Sequence, residues 1–205
     1  MDKLFSYAFL FFVISLVIYR IKSCFITRNK KIGEIFQPWT LYALSLIHTI
    51  IGISAIVEYF WFIRTINYLT TTIGLILFSL AVAGRHWALN TLGKYHSPQI
   101  EIREDQPLIT SGPYCYVRHP IYFFTIVEVL GCTLIPNAFF AFFLTLFIYT
   151  PLLLLRLFLE EKALIQTFGA SYLAYMEKVP CLIPFLKWPR KYLNFGTGTY
   201  RVGKK

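Results

Sequence analysis

Charged side chains inside or at the ends of long apolar runs are the first candidates for chemistry in this sequence, because such charges are rare at membrane depth and are often functional. Glu58 lies near the end of one run, where we interpret it as a carboxylate facing the membrane interface. Glu128 lies inside another run. The sequence leaves open whether Glu128 pairs with His48, bonds a backbone group or faces a cavity.

Arg156 and Glu160 form a second candidate, at the end of the last long apolar run. On a helix this i, i+4 spacing puts both side chains on one face. One interpretation is an ordinary surface ion pair at the point where the helix leaves the membrane. The other is a polar pair aimed into a cavity at membrane depth. The spacing alone does not choose between them.

A third candidate is the aromatic and basic segment 114–122, Tyr-Cys-Tyr-Val-Arg-His-Pro-Ile-Tyr, which opens the fourth apolar run. Pro120 suits the first turn of a helix, and the free backbone amides of that turn can face an anionic group. His119 and the tyrosines add hydrogen-bond donors and aromatic faces. The alternative is an aromatic belt at the membrane interface with Arg118 snorkelling to water, and composition does not exclude it.

The elements that must position these residues are apolar helices. The chain is 57% hydrophobic and only 15% charged, against about 25% charged residues in soluble domains. We predict an all-α integral membrane fold of about five transmembrane helices, the last two joined as a helical hairpin at Pro136-Asn137. We interpret the first run as a retained span and not as a cleaved signal peptide. The predicted spans are residues 4–21, 39–63, 68–84, 121–135 and 138–155.

The net charge of +10 comes from basic residues that flank the apolar runs. Lys and Arg concentrate in the first connection, the third connection and the tail, which five spans place on one side. We therefore predict a cytoplasmic C-terminus, an outside N-terminus, and membrane lipids instead of nucleic acid as the partner of this charge. We divide the chain into three N-terminal spans, residues 1–84, and a functional core, residues 85–205.

The polar part of that core is expected on the cytoplasmic side, in the long connection 85–120 and in the segment after residue 155. In the tail, the sequence predicts an amphipathic helix over 156–168, broken at Gly169, and a shorter helix over 171–178. The cysteines Cys24, Cys115, Cys132 and Cys181 show neither paired nor zinc-type spacing. We expect them to be small apolar side chains, and we predict no metal site.

Two segments resemble the motifs of the isoprenylcysteine carboxyl methyltransferase family. The first runs from Gly112-Pro113-Tyr114 to Arg118-His119-Pro120-Ile121-Tyr122. The second comprises Glu160-Glu161, Phe168-Gly169, Tyr172, Tyr175, Val179-Pro180 and Ile183-Pro184. The resemblance covers roughly residues 85–185, and the short five-span form is similar to the prokaryotic members. Phe124 departs from the pattern, because many members carry glycine there, and it is expected to narrow the helix packing or the substrate tunnel.

The resemblance implies a methyltransferase that binds S-adenosylmethionine on the cytosolic face of a prokaryotic plasma membrane or the endoplasmic reticulum. A lipophilic acceptor would enter from the bilayer, and the carboxylate of a prenylated cysteine is the first expectation. Arg156 and Glu160 would face this acceptor. The residues implied in cofactor binding are Gln99, Gln106, Pro107, Leu108, Ile109, Tyr114, His119, Pro120, Ile121 and Tyr122.

Three other functions stay open at this point. The same reaction could use a phospholipid amine or a small lipophilic thiol as acceptor. An NADPH-dependent sterol or steroid reductase shares a similar Arg-His-Pro-x-Tyr element, although its tail differs from this one. A non-catalytic membrane protein, such as an assembly factor, would bind no S-adenosylmethionine.

Overall fold

The computed structural model describes residues 3–26, 34–62, 65–97, 99–102 and 106–184, and apolar helices dominate it. Two π-helical turns, Glu58–Phe62 and Thr145–Tyr149, continue or join these helices. The helices are α1 (Lys3–Ile26), α2 (Trp39–Val57), α3 (Tyr68–Leu92), α4 (Pro120–Leu134), α5 (Phe139–Leu144), α6 (Thr150–Phe168) and α7 (Ala170–Lys178).

The prediction of a helical membrane fold is confirmed. Among the described residues, three helices are long and apolar enough to cross a bilayer: Trp39–Phe62, Tyr68–Tyr95 and Phe139–Phe168. Two shorter apolar helices, Leu4–Leu16 and Pro120–Leu134, lie where the other two spans were predicted. Helix α4 has 15 residues, or about 22 Å at 1.5 Å per residue, which is less than a typical hydrocarbon core of about 30 Å.

One short β ladder was not predicted. Strand β1 (Glu34–Phe36) pairs antiparallel with β2 (Ile100–Ile102), with Ile35 opposite Glu101. The ladder joins the first connection to the third. Both connections therefore lie on the same side, as the five-span arrangement requires.

Helix α3 differs from its prediction because it does not end at residue 84. It continues to Leu92 and then into a 3₁₀ turn. The prediction placed Arg85 at the start of the connection. The Arg85 side chain is buried instead, and its Nε lies 2.9 Å from Glu128 Oε2. A paired charge does not stop a helix, so the connection begins later than expected. This contact also answers the question of the Glu128 partner, for which His48 was considered.

The turn of the hairpin is held by polar side chains. Asn137 adopts a left-handed φ of 61° in the turn, a conformation that asparagine tolerates better than most residues. Its Oδ1 accepts a hydrogen bond from Asn67 N (2.8 Å), and its Nδ2 donates to Thr71 Oγ1 (2.9 Å).

The carboxylate of Glu58 accepts from the backbone amides of Phe140 and Ala141, at 3.0 and 3.1 Å. Glu58 therefore caps α5, a role that the sequence did not predict for it.

Helices α3 and α4 approach closely through glycines. A Cβ on Gly131 would lie 2.8 Å from Phe78 N, and one on Gly74 would lie 2.8 Å from Ile135 N. A Cβ on Gly84 would lie 2.2 Å from the ring of Phe124. The Phe124 ring therefore packs against α3 at Gly84, so of the two expected effects the structure shows the one on helix packing. Small residues of this kind let membrane helices pack at short distance.

Candidate active site

A cavity of about 210 Å³ lies among the end of α3, the connection that follows it, the start of α4, the second half of α6, and α7. The structure brings all twelve predicted site residues to the wall of this cavity. Four separate segments of the chain supply them. They are Gln99, Gln106, Pro107, Leu108, Ile109, Tyr114, His119, Pro120, Ile121, Tyr122, Arg156 and Glu160.

Arg156 is inside the protein, with 5% of the residue exposed, and it lines the cavity. Its Nε donates to the Tyr122 hydroxyl at 3.1 Å, and the same hydroxyl donates to Glu160 Oε2. Tyr122 therefore links the guanidinium to the carboxylate. The interpretation of Arg156 and Glu160 as a surface ion pair is wrong, because a buried guanidinium beside a cavity is not solvated as a surface charge is.

Arg118 does not snorkel to water, which excludes the simple aromatic belt for this segment. Arg118 is only 7% exposed. Nε and Nη2 both donate to Glu161 Oε1, at 2.8 and 2.6 Å. Nη1 donates to the carbonyl oxygens of Val179 (2.6 Å) and Met176 (3.3 Å) at the end of α7. Arg118 thus ties the start of α4 to both tail helices.

Glu161 was quoted in the family motif but received no role from the sequence. It is 2% exposed, and its Oε1 also lies 3.2 Å from His119 Nε2. The backbone adds to this contact, since Arg118 N donates to Pro180 O (2.9 Å) and His119 N donates to Cys181 O (3.0 Å). The first motif is therefore fastened to the tail by buried charge and by backbone pairing. The only sequence signal for the pairing of Arg118 with Glu161 was that Arg118 lies in the first motif and Glu161 in the second.

Aromatic side chains form much of the remaining cavity wall. Tyr175 donates its hydroxyl to Tyr114 O at 2.6 Å. Burial, then the nearby Glu160 carboxylate, raises the pKa of Tyr114 above its ordinary value, and burial likewise raises the pKa of Tyr175. Both phenols stay protonated and act as donors at neutral pH. The lining residues without a predicted role are Leu92, Tyr95, His96, Ser97, Arg118, Leu164, Phe168, Tyr172 and Tyr175.

One group of potential metal ligands occurs among the described residues. Ligand atoms of His119, Glu161 and Cys181 lie within 4.8 Å of one another, and all three residues are buried. Arg118 already neutralises this carboxylate, however, and a cation next to the guanidinium would be repelled. Burial, followed by the Glu161 charge, raises the pKa of the Cys181 thiol to about 12, whereas metals bind the thiolate. The donor chemistry therefore favours a structural cluster here.

The same pKa shift predicts selective thiol labelling. Cys181 is buried, whereas Cys115 is exposed. At pH 8 a maleimide should modify Cys115 in the folded protein and leave Cys181 unmodified, because both access and thiolate formation are suppressed at Cys181. Peptide mass spectrometry measures both sites, and labelling in denaturant is the control in which both should react. Equal labelling rates in the folded protein would contradict the buried cluster.

Comparisons with known proteins agree with the resemblance found in the motifs. The sequence model of the isoprenylcysteine carboxyl methyltransferase (ICMT) family matches residues 72–166. The protein-S-isoprenylcysteine O-methyltransferase of Mus musculus is 31% identical over 156 residues, which are 70% of this chain and 53% of the mouse protein. The uncharacterized Bacillus subtilis protein YpbQ is 28% identical over 134 residues, which are 65% of this chain and 77% of YpbQ.

The fold is also similar to a solved one. A structure of the eukaryotic intramembrane Ras methyltransferase ICMT superposes with a TM-score of 0.57 at 26% identity, over 70% of this chain and 52% of that chain. This chain therefore spans about half the length of these two eukaryotic relatives. The resemblance to the ICMT family is confirmed, and the region that the family model matches contains most of α3, all of α4, the hairpin turn, Arg156 and Glu160.

Proposed function

We propose, on the premise that residues 72–166 form an ICMT-type core, that this chain is a membrane-embedded methyltransferase. It would use S-adenosylmethionine to methylate a lipophilic acceptor, and the carboxylate of a prenylated cysteine fits best. The site would face the cytosol, in a prokaryotic plasma membrane or the endoplasmic reticulum. The acceptor would reach it from the bilayer.

The observation that carries the proposal is the position of Arg156. A guanidinium held inside a protein beside a cavity can recognise a carboxylate by a bidentate contact. The cavity lies at the end of a membrane-spanning helix, where a lipophilic chain can stay in the bilayer while its carboxylate reaches Arg156. A surface-exposed arginine would not make this selection, because water would compete for the carboxylate.

The cavity suits S-adenosylmethionine, which supplies a methyl group on a sulfonium already activated for transfer. The glutamine side chains Gln99 and Gln106 offer both donors and acceptors, as an adenine or an amino-acid group requires. Tyrosine faces, including Tyr114 and Tyr122, attract a cationic group. The carboxylate of Glu160 adds negative charge to the same wall. The wall thus combines the polar, aromatic and anionic groups that this cofactor needs.

The residues of this chain would act mainly by positioning. A carboxylate acceptor is ionised at pH 7, so it needs no general base. Arg156 would orient it, while Tyr122, which is itself bonded to Glu160, holds the guanidinium at Nε. The aromatic wall would exclude water from the reacting oxygen. Holding two reactants in productive geometry supplies a large share of rate enhancement in such reactions. An amine or thiol acceptor would instead have to lose a proton, and Glu160 would be the candidate base.

The test is methyl transfer from radiolabelled S-adenosylmethionine in membranes that contain the protein. The acceptors are an S-prenylated N-acetylcysteine, its carboxamide, an amine phospholipid and a long-chain thiol. We expect label on the prenylated acid and none on the carboxamide, which keeps the prenyl chain but lacks the carboxylate. Label on the amine or the thiol alone would show that the acceptor is an amine or a thiol and not a prenylated carboxylate. No transfer and no cofactor binding would overturn the proposal and favour a non-catalytic protein or a reductase.

A cofactor-binding prediction tests the cavity independently of the acceptor. Gln106→Ala should weaken S-adenosylmethionine binding about tenfold, because a neutral side-chain hydrogen bond contributes about 1 kcal/mol and its loss is compounded by an unpaired partner. Calorimetric titration in detergent gives the Kd. The matched control is Gln166→Ala, which removes an exposed glutamine on α6 and should leave the Kd unchanged. Equal affinities of the Gln106→Ala variant and the parent would place the cofactor elsewhere.

A further inference from the structure

Thr40 contacts the candidate active site, although it lies outside the region that the ICMT family model matches. It lies in the first turn of α2, whereas the family model begins at residue 72. The residue is 0% exposed. Its Oγ1 accepts a hydrogen bond from Arg156 Nη1 at 3.0 Å, across 116 residues of sequence. No sequence signal pointed to Thr40, because its neighbours are ordinary residues at the start of an apolar helix.

The donor and acceptor roles of the Thr40 hydroxyl are defined by its contacts. Its single hydrogen is donated to Gln37 O at 2.9 Å, so a lone pair is left to face the guanidinium. The same carbonyl accepts from Thr40 N at 3.2 Å. Gln37 adopts a left-handed φ of 48°, which is uncommon for a residue other than glycine, and its side chain accepts from Trp39 Nε1 at 2.8 Å. The turn before α2 therefore fixes where the Thr40 lone pair points.

Two helices thus hold the guanidinium of Arg156 at two points. Tyr122 of α4 accepts from Nε, and Thr40 of α2 accepts from Nη1. Together with the attachment of the side chain, two in-plane contacts fix the plane of the guanidinium as well as its place. A bidentate contact with a carboxylate depends on that plane.

We propose that Thr40 is a positioning residue for Arg156, so that the N-terminal half of the chain sets the orientation of the bound acceptor. This inference rests on the proposed function. Thr40 does not act on the cofactor, and it acts on the acceptor only through Arg156. Without the Thr40 hydroxyl the guanidinium keeps its charge but loses the contact that Nη1 makes with α2.

The test compares Thr40→Val with the parent. Valine keeps the shape of threonine and removes the hydroxyl. We expect kcat/KM for the prenylated acid to fall about tenfold, since small errors in reactant placement have effects of this size, while the Kd for S-adenosylmethionine stays the same. Thr40→Ser, which restores the hydroxyl, should recover most of the activity. The matched control is Thr145→Val, at another fully buried threonine whose hydroxyl donates to Ala141 O of its own helix, and it should keep parental activity.

A second background separates positioning from a structural role. In Arg156→Lys the fork that Thr40 contacts is gone, so adding Thr40→Val should change kcat/KM less than twofold. An equal tenfold loss in both backgrounds would overturn the inference, and so would an unchanged Thr40→Val in an active parent. An inactive parent would overturn the proposed function and this inference with it. If Thr40→Val does not purify as a folded protein, Thr40→Ala is judged by the same criteria.

Discussion

Arg156→Ala is expected to lower kcat/KM for methyl transfer about a hundredfold, while the Kd for S-adenosylmethionine stays nearly unchanged. The guanidinium lies beside the cavity and is held by Tyr122 and Thr40. Loss of one charged, desolvated contact in a transition state costs on the order of 3 kcal/mol, which is about a hundredfold in rate. The measurement is kcat/KM with the prenylated acid, together with the cofactor Kd from calorimetry.

Two companion variants define what the Arg156 result means. Arg156→Lys should recover activity only in part, because an ammonium keeps the charge but cannot reproduce the planar fork. Lys162→Ala, at an exposed cation on the same helix, should leave turnover unchanged. Turnover near the parental value in Arg156→Ala would return Arg156 to a purely structural role.

Glu128→Leu is expected to destabilise the fold by about 3–5 kcal/mol, the usual cost of removing one partner of a buried ion pair. Glu128 Oε2 lies 2.9 Å from Arg85 Nε, and the two side chains are 2% and 10% exposed. The variant takes the carboxylate away from a guanidinium between α3 and α4, where these helices pack closely. The measurement is the free energy of unfolding in detergent micelles, from denaturant titration.

The double variant Arg85→Met/Glu128→Leu is the matched control. It removes both charges and keeps similar side-chain volumes, so most of the lost stability should return. A double variant as unstable as Glu128→Leu would show that packing, and not charge, explains the loss. A Glu128→Leu variant as stable as the parent would contradict a stabilising role for the contact in the folded protein.

The sequence by itself determined the helices and most of the cavity wall. Long apolar runs have to bury their backbone polar groups internally in a bilayer, and a helix does so within one segment. For this reason each predicted span coincides with an apolar helix. Pro120 begins α4 as predicted, and α6 ends before Gly169, whose φ is 54°. These are local signals, carried by residues close together in sequence.

The motifs also identified residues that converge on one cavity, although they did not show how it is built. Arg118 and Glu161 belong to the two motifs, but the motifs did not predict that these residues pair. They are 43 positions apart in the sequence. The sequence left three possibilities open for Glu128, which were a contact with His48, a contact with a backbone group and a position facing a cavity. The structure pairs it with Arg85 of the neighbouring helix. The end of α3 was misplaced for the same reason, since a charge ends a span only when nothing inside the protein compensates it.

Tertiary structure alone decided which buried charges meet and what holds them. Thr40 contacts Arg156 because α2 packs beside α6, and no periodicity in either helix encodes that neighbour. Phe124 fills the space left by Gly84 of α3, so its effect on the site depended on a helix contact that its own motif does not contain. Local propensity and hydropathy act over a few residues. The orientation of a guanidinium is set by contacts between helices far apart in the chain, and these exist only once the helices have packed.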